Sequence, residues 1–223
     1  MAQKVAGELY ESLTGQLLEI GRQLRQSNGY PFDPAQLQKF LQRAVEGKFV
    51  DRPVVKPKFD VLADGTITFT VTSDGTTGLE WIDRLKAAGH KVNDYAEQLL
   101  RSSDFVPTNG MTTKSVVLLN KLWTTDSNRL TKNIRAEADK RKQVKPNAEV
   151  ACLVRKMFTN EEIRSMGLLR LVIMHESIKD ADGRSGLLAV SADDSESWLD
   201  AFWDSPAYQW SSQSGFVFAV PQV

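Results

Sequence analysis

The chain has 223 residues, of which 41% are apolar, and its 28 basic side chains balance 28 acidic ones to a formal net charge of zero. This composition supports a packed core and argues against wholesale disorder, a nucleic-acid coating protein and a polybasic membrane binder. One cysteine and two histidines exclude a disulfide framework and a multi-cysteine or histidine-rich metal centre. No apolar run approaches the roughly 20 residues that cross a bilayer, so we expect no contact with a membrane. From the composition as a whole we expect a cytoplasmic protein without a metal or a cofactor.

The first 50 residues predict an antiparallel helical hairpin. In 4–26, apolar residues recur at every third or fourth position, as on one face of a helix. Asn28–Gly29 then marks a turn, and Asp33 is suited to the N-cap of a second helix that ends at Gly47. The short connection between the two helices favours an antiparallel pair.

Residues 51–58 contain two prolines and predict an extended connector, and 59–223 predict an α+β domain. Apolar and threonine residues alternate in 66–72, which is typical of a strand buried on one face, whereas 168–174 is apolar on both. Further strands are predicted at 116–119, 187–191 and 216–220, and helices near 78–88, 93–102, 128–142, 147–157 and 160–166. The predicted fold is therefore a mixed or antiparallel sheet with helices on one face.

Two apolar features are interpreted as structural. Trp198, Leu199, Phe202 and Trp203 stand at i, i+1, i+4 and i+5, which predicts the buried edge of a helix. Cys152 lies in an apolar helical stretch with no histidine nearby in sequence, which is typical of a buried, unreactive thiol.

Charge is distributed unevenly along the chain. Residues 114–145 carry nine bases against three acids, a net charge of +6, and 176–210 carry eight acids against two bases, a net charge of −6. Either the basic segment meets an external polyanion, or the two segments neutralise each other in the fold. The basic candidates for nucleic-acid contact are Arg129, Lys132, Arg135, Lys140, Arg141 and Lys142.

A glycine-containing turn between a strand and a helix is a candidate anion-binding site. Its residues are Gly75, Thr76, Thr77 and Gly78. Backbone amides at a helix N-terminus attract anions, but this turn lacks the lysine of a P-loop and the third glycine of a dinucleotide fingerprint. The alternative is a structural turn with Thr77 as the N-cap.

His175 and Glu176 follow the apolar strand 168–174 and are followed in turn by Asp180 and Asp182. A histidine with a carboxylate partner at the end of a strand is suited to general base catalysis, provided that the acidic residues share a cleft with it. The alternative is a hairpin turn with a hydrogen-bonded histidine at its base. The turn does not fit a calcium-binding loop, because Arg184 stands where a ligand is expected.

Several short motifs in 78–223 resemble a group of small uncharacterised bacterial proteins of unknown function. The motifs are Gly78-Leu79-Glu80-Trp81-Ile82, Lys132-Asn133-Ile134-Arg135-Ala136-Glu137-Ala138, Ala148-Glu149-Val150-Ala151, Met174-His175-Glu176 and Gly215-Phe216-Val217-Phe218. The resemblance implies a bacterial cytoplasmic origin and nothing about catalysis.

The interpretation that these patterns favour is a non-enzymatic binding or scaffolding protein. Its partner is expected to be another protein or a second copy of the chain, bound through the N-terminal hairpin. Nucleic-acid binding through 129–145 and an enzyme using His175 and Glu176 are the alternatives.

Overall fold

The computed structural model describes residues 8–25, 33–46, 58–119, 122–123, 125–192 and 196–221. The chain divides into two compact units, Met1–Val55 and Lys56–Val223. The division falls inside the segment 51–58 that the sequence predicts to be a connector, and residues 51–57 lie outside the described residues.

The described residues of the N-terminal unit form two helices, α1 (Glu8–Gln23) and α2 (Pro34–Val45). Both occur where the apolar periodicity predicts a helix. The Asp33 carboxylate accepts a hydrogen bond of 2.8 Å from the backbone N–H of Ala35, which satisfies one of the free amides at the start of α2. The predicted turn at Asn28–Gly29 lies outside the described residues.

The second unit is built on one sheet of nine described strands. In chain order the elements are β1 (Asp60–Val61), β2 (Ile67–Asp74), α3 (Gly78–Ala87), β3 (Lys91–Val92), α4 (Asp94–Arg101), β4 (Asn109–Leu118), α5 (Thr131–Lys140), α6 (Val150–Met157), α7 (Asn160–Ser165), β5 (Arg170–Ile173), β6 (Ile178–Lys179), β7 (Ser185–Ala192), β8 (Ser197–Trp203) and β9 (Ser214–Ala219). The strand order is β1-β2-β4-β9-β5-β7-β8-β3, with β6 paired to β7. The pairs β5–β9 and β3–β8 are parallel and the others are antiparallel, so the sheet is mixed and the fold is α+β, as predicted.

Helices cover both faces of this sheet, which corrects the prediction of helices on one face. The larger core includes residues of α3, α4, α6 and α7, and the smaller core on the opposite face includes Ile134 and Ala138 of α5. The reason lies in the central strands. In β5, Leu171 belongs to the larger core and Val172 to the smaller, so both faces of the strand must be covered.

The segment predicted as a helical edge is strand β8, so that prediction is wrong. Alternate residues of β8 face opposite sides of the sheet. Leu199 and Ala201 join the larger core, whereas Phe202 packs against the smaller one. Because both faces of the strand carry apolar residues, no alternation of polar and apolar residues distinguishes it from a helix.

Candidate functional site

His175 is held inside the sheet by both of its ring nitrogens. Nδ1 lies 2.5 Å from the carbonyl oxygen of Glu176 and donates to it, and Nε2 accepts a 2.9 Å hydrogen bond from the backbone N–H of Leu188. The side chain is 1% exposed, and burial lowers the pKa of His175 to about 4. The ring is therefore neutral near pH 7, and neither nitrogen is available to a substrate.

The acidic partners expected for His175 are engaged elsewhere. The Glu176 side chain is 80% exposed and pairs with Lys145 at 2.8 Å. Asp180 accepts hydrogen bonds of 2.9 Å from the backbone N–H groups of Asp182 and Arg184 and from Arg184 Nε, which builds the turn between β6 and β7. Among the contacts of the described residues, none joins His175 to Asp180 or Asp182, so the geometry matches the hairpin alternative.

In the turn at 75–78, the backbone N–H groups and the hydroxyls of Thr76 and Thr77 donate to carboxylates of the chain itself. The Thr76 hydroxyl donates to Asp74, whose other oxygen accepts a 2.8 Å bond from Arg84. These two hydrogen bonds, with Thr76 first, lower the pKa of Asp74 to about 2. Thr77 caps α3 and its backbone N–H donates to Glu80 at 2.9 Å, which completes a capping box. The donors expected to hold an anion thus serve the start of a helix.

Gly78 in this turn is required by packing rather than by a ligand. A Cβ atom at this position would overlap the backbone carbonyl of Leu100, at the end of α4. We expect Gly78→Ala to lower the free energy of unfolding by about 2 kcal/mol, because α3 must move away from a rigid neighbour. Urea unfolding measures the change. Asp83→Ala places alanine at an exposed position of the same helix, where it should cost little, and is the control.

Some cations of the basic segment 114–145 are buried or paired with acidic residues and cannot contact a polyanion. Arg129 is buried and donates to the carbonyl oxygens of Trp210 and Trp123, at 3.3 and 3.4 Å. Arg135 pairs at 2.8 Å with the buried carboxylate of Asp204, which also accepts from Ser177. Together with the Lys145 pair, this contact joins the basic segment to the acidic one, so part of the charge is neutralised within the fold.

The other four basic candidates lie on the surface. Arg141 and Lys140 pair with Glu137 at 2.8 and 3.6 Å, and Lys132 and Lys142 make no ion pair with the described residues. Two of the six cations are thus inside the fold and two are shared with a carboxylate. This arrangement leaves a weaker electrostatic surface for a polyanion than the sequence suggests.

A cleft of about 550 Å³ lies where β5, β7 and β8 run side by side, and the sequence did not predict it. Its lining residues are Asn93, Leu169, Arg170, Ser191, Ala192, Trp198 and Asp200. Arg170 is paired across the sheet with Ser191, which is in turn paired with Trp198, so the three side chains form one row. Ser191 on the middle strand, β7, is small and lies between two large side chains, which leaves the cleft open. Arg170 forms one wall of the cleft, and Trp198 and Asp200 form the other.

Arg170 is the most constrained charge in this cleft. Its Nε donates a 3.1 Å hydrogen bond to Ser191 Oγ, and its guanidinium carbon lies 4.2 Å from the ring centroid of Phe202. Burial lowers the pKa of Arg170, and the negative charge of Asp200 opposes this shift. The group nevertheless stays cationic near neutral pH, since an arginine loses its proton only far above it.

The remaining findings concern other kinds of site. Within the described ranges, no helix is long and apolar enough to cross a membrane, and no three histidine, cysteine or acidic side chains are grouped to hold a metal ion. Cys152 is fully buried, and burial raises the pKa of its thiol well above the usual value, as expected for an unreactive side chain. No protein-family model matches the chain, and comparisons with curated proteins and with solved structures gave no match.

Proposed function

We propose that this chain is a non-catalytic binding protein that acts through protein–protein contacts of its N-terminal unit. The supporting observation is that every described side chain of α1 and α2 is exposed or half-buried, although both helices carry apolar stripes. Leu17 is 58% exposed and Val45 is 85% exposed. Helices of 16 and 12 residues are marginally stable in water unless an apolar face is covered. A partner that covers these faces would supply the missing stabilisation.

The proposed partner is a second copy of the same chain. Residues 1–50 carry six bases and five acids, so two copies would meet without strong repulsion and could exchange ion pairs. An open groove of about 330 Å³ lies in this unit, lined by Leu24, Leu37, Gln38, Leu41, Gln42 and Val45. Apolar side chains at every fourth position of α2 are what a helix from another copy would pack against.

The proposal also covers the arrangement of α1 and α2 and the cellular setting of the protein. We propose that α1 and α2 form the antiparallel hairpin that the short connection favours, so that a dimer is a four-helix arrangement. A bacterial cytoplasmic setting is consistent with the single, buried and unpaired Cys152. It is also what the resemblance to small bacterial proteins implies.

Light scattering coupled to gel filtration tests the proposal on the full chain. We expect a dimer at about 100 µM, and monomers for Leu24→Glu and Val45→Glu, whose side chains line the groove, because a charge in a packed helix interface is not compensated. Lys39→Glu places a carboxylate at an exposed position of α2 outside the groove, and this variant should remain a dimer. A monomeric wild-type chain, or a dimer that survives both Leu24→Glu and Val45→Glu, would show that the proposal is wrong.

A further inference from the structure

The cleft between β5 and β8 holds two opposite charges that do not pair with each other. No ion pair joins Arg170 to Asp200, although the charge of Asp200 acts on the guanidinium. The Asp200 carboxylate makes no hydrogen bond or ion pair with the described residues, and the one hydrogen bond that the Arg170 guanidinium makes with them is from Nε. A cation and an anion left apart in one cleft are complementary to a ligand that carries both charges.

We propose that this cleft binds a small zwitterion of the amino-acid type, with its carboxylate on Arg170 and its ammonium group on Asp200. The guanidinium is fixed before the ligand arrives, by the bond to Ser191 and by stacking on Phe202. Its two terminal nitrogens remain available, in the planar arrangement that binds a carboxylate through two parallel hydrogen bonds. Little side-chain freedom is lost on binding, because the group is already held in place.

The charge of the cleft favours a zwitterion over a simple anion. An anion on Arg170 would lie near the carboxylate of Asp200, which forms no ion pair with the described residues. Phosphate and nucleic acid carry no positive group to offset this repulsion. A ligand with an ammonium group converts the same carboxylate from a repulsive neighbour into a partner.

The apolar part of the lining provides room for the rest of such a ligand. Leu169 is 38% exposed and Trp198 is half-buried, and both line the cleft beside the two charges. A volume of about 550 Å³ lies within the usual range of about 300–1,000 Å³ for small-molecule sites. An apolar or aromatic side chain on the ligand would rest against these two residues.

Isothermal titration calorimetry of the full chain with the proteinogenic amino acids tests this inference. Each is titrated singly, and acetate and methylamine serve as probes with one charge only. We expect at least one amino acid to bind with a dissociation constant of about 1 mM or tighter, and both single-charge probes to bind more weakly. Arg170→Gln and Asp200→Asn should each weaken the binding by about tenfold or more, because a charge-assisted hydrogen bond is lost.

Lys132→Gln is the matched control. Lys132 is exposed, lies outside the cleft and makes no ion pair with the described residues, so this variant should bind the amino acid as the wild type does. Asp200→Asn keeps the test decisive if Arg170→Gln does not fold, because the Asp200 carboxylate makes no hydrogen bond or ion pair with the described residues. Absence of binding by every amino acid at about 10 mM would overturn the inference. Binding that Asp200→Asn leaves unchanged, or acetate binding as tight as that of the amino acid, would also overturn it.

Discussion

Replacing Glu149 with leucine is expected to lower the free energy of unfolding by about 4 kcal/mol. The carboxylate is 1% exposed and stands at the N-cap of α6. Oε1 accepts a 3.2 Å bond from the indole N–H of Trp81, and Oε2 accepts from Thr108 N–H at 3.2 Å and from the Ser73 hydroxyl. A single side chain thereby joins α3, β2, the start of β4 and α6.

The expected cost comes mainly from two of these three donors. The Ser73 hydroxyl also reaches the carbonyl oxygen of Thr108, so it retains an acceptor when Glu149 is replaced. Among the described residues, the Trp81 and Thr108 N–H groups have no other acceptor and would be left buried without a partner, at about 1–3 kcal/mol each. Leucine is close in volume, so the loss does not arise from a cavity.

Glutamine at this position gives an internal control. Its one carbonyl oxygen satisfies either Trp81 or Thr108, and its amide group then faces the other donor, so Glu149→Gln should cost about half as much as Glu149→Leu. In a Trp81→Phe background, the glutamine substitution should cost less than in the wild type, because one of the competing donors is absent. Urea unfolding measures all four variants. If Glu149→Leu cost about 1 kcal/mol or less, the three hydrogen bonds would not contribute as argued.

Local patterns were sufficient to predict most elements of the second unit. The alternation in 66–72 predicts β2, and the helix predicted near 160–166 is α7, which begins with a capping box at Thr159. Both signals depend on residues close in sequence. The predictions were wrong where a strand is buried on both faces, because polar and apolar residues then do not alternate. β8 is apolar on both sides, and its i, i+4 spacing fits a strand as well as a helix. The same two-sided burial in β5 explains why α5 covers a second face.

The candidate cleft could not be predicted from local patterns. Arg170 and Asp200 lie on different strands, and only the pairing of β5 with β7 and of β7 with β8 brings them to one cleft. Strand order and register are set by long-range packing, and one sequence does not specify them. The His175–Glu176 pair, by contrast, is adjacent in sequence, so a local pattern was sufficient to suggest it as a site. Its buried location depends on Leu188, which is distant in sequence.

Lowering the pH from 7 to 5 is expected to reduce the free energy of unfolding by about 2 kcal/mol through His175 alone. Burial lowers the pKa of His175 in the folded chain to about 4, from an ordinary value of 6.5. Below the ordinary value the unfolded chain binds a proton that the folded chain does not, so protonation favours unfolding. The stabilisation is complete above about pH 6.5 and is lost as the pH falls towards 4. Ordinary carboxylates titrate mostly below pH 5 and contribute little in this window.

Urea unfolding at several pH values between 5 and 7 measures this effect, and nuclear magnetic resonance of the ring protons reports the titration of His175 directly. His175→Gln should be less stable at pH 7, because at least one hydrogen bond is lost, but its stability should vary much less with pH. His90→Gln is the matched control and should retain most of the slope. Burial also lowers the pKa of His90, but that side chain is only partly buried and hydrogen-bonded to Ser197. A ring that titrates near pH 6.5 in the folded chain would contradict the buried, doubly hydrogen-bonded arrangement, and His175 would again be a candidate base.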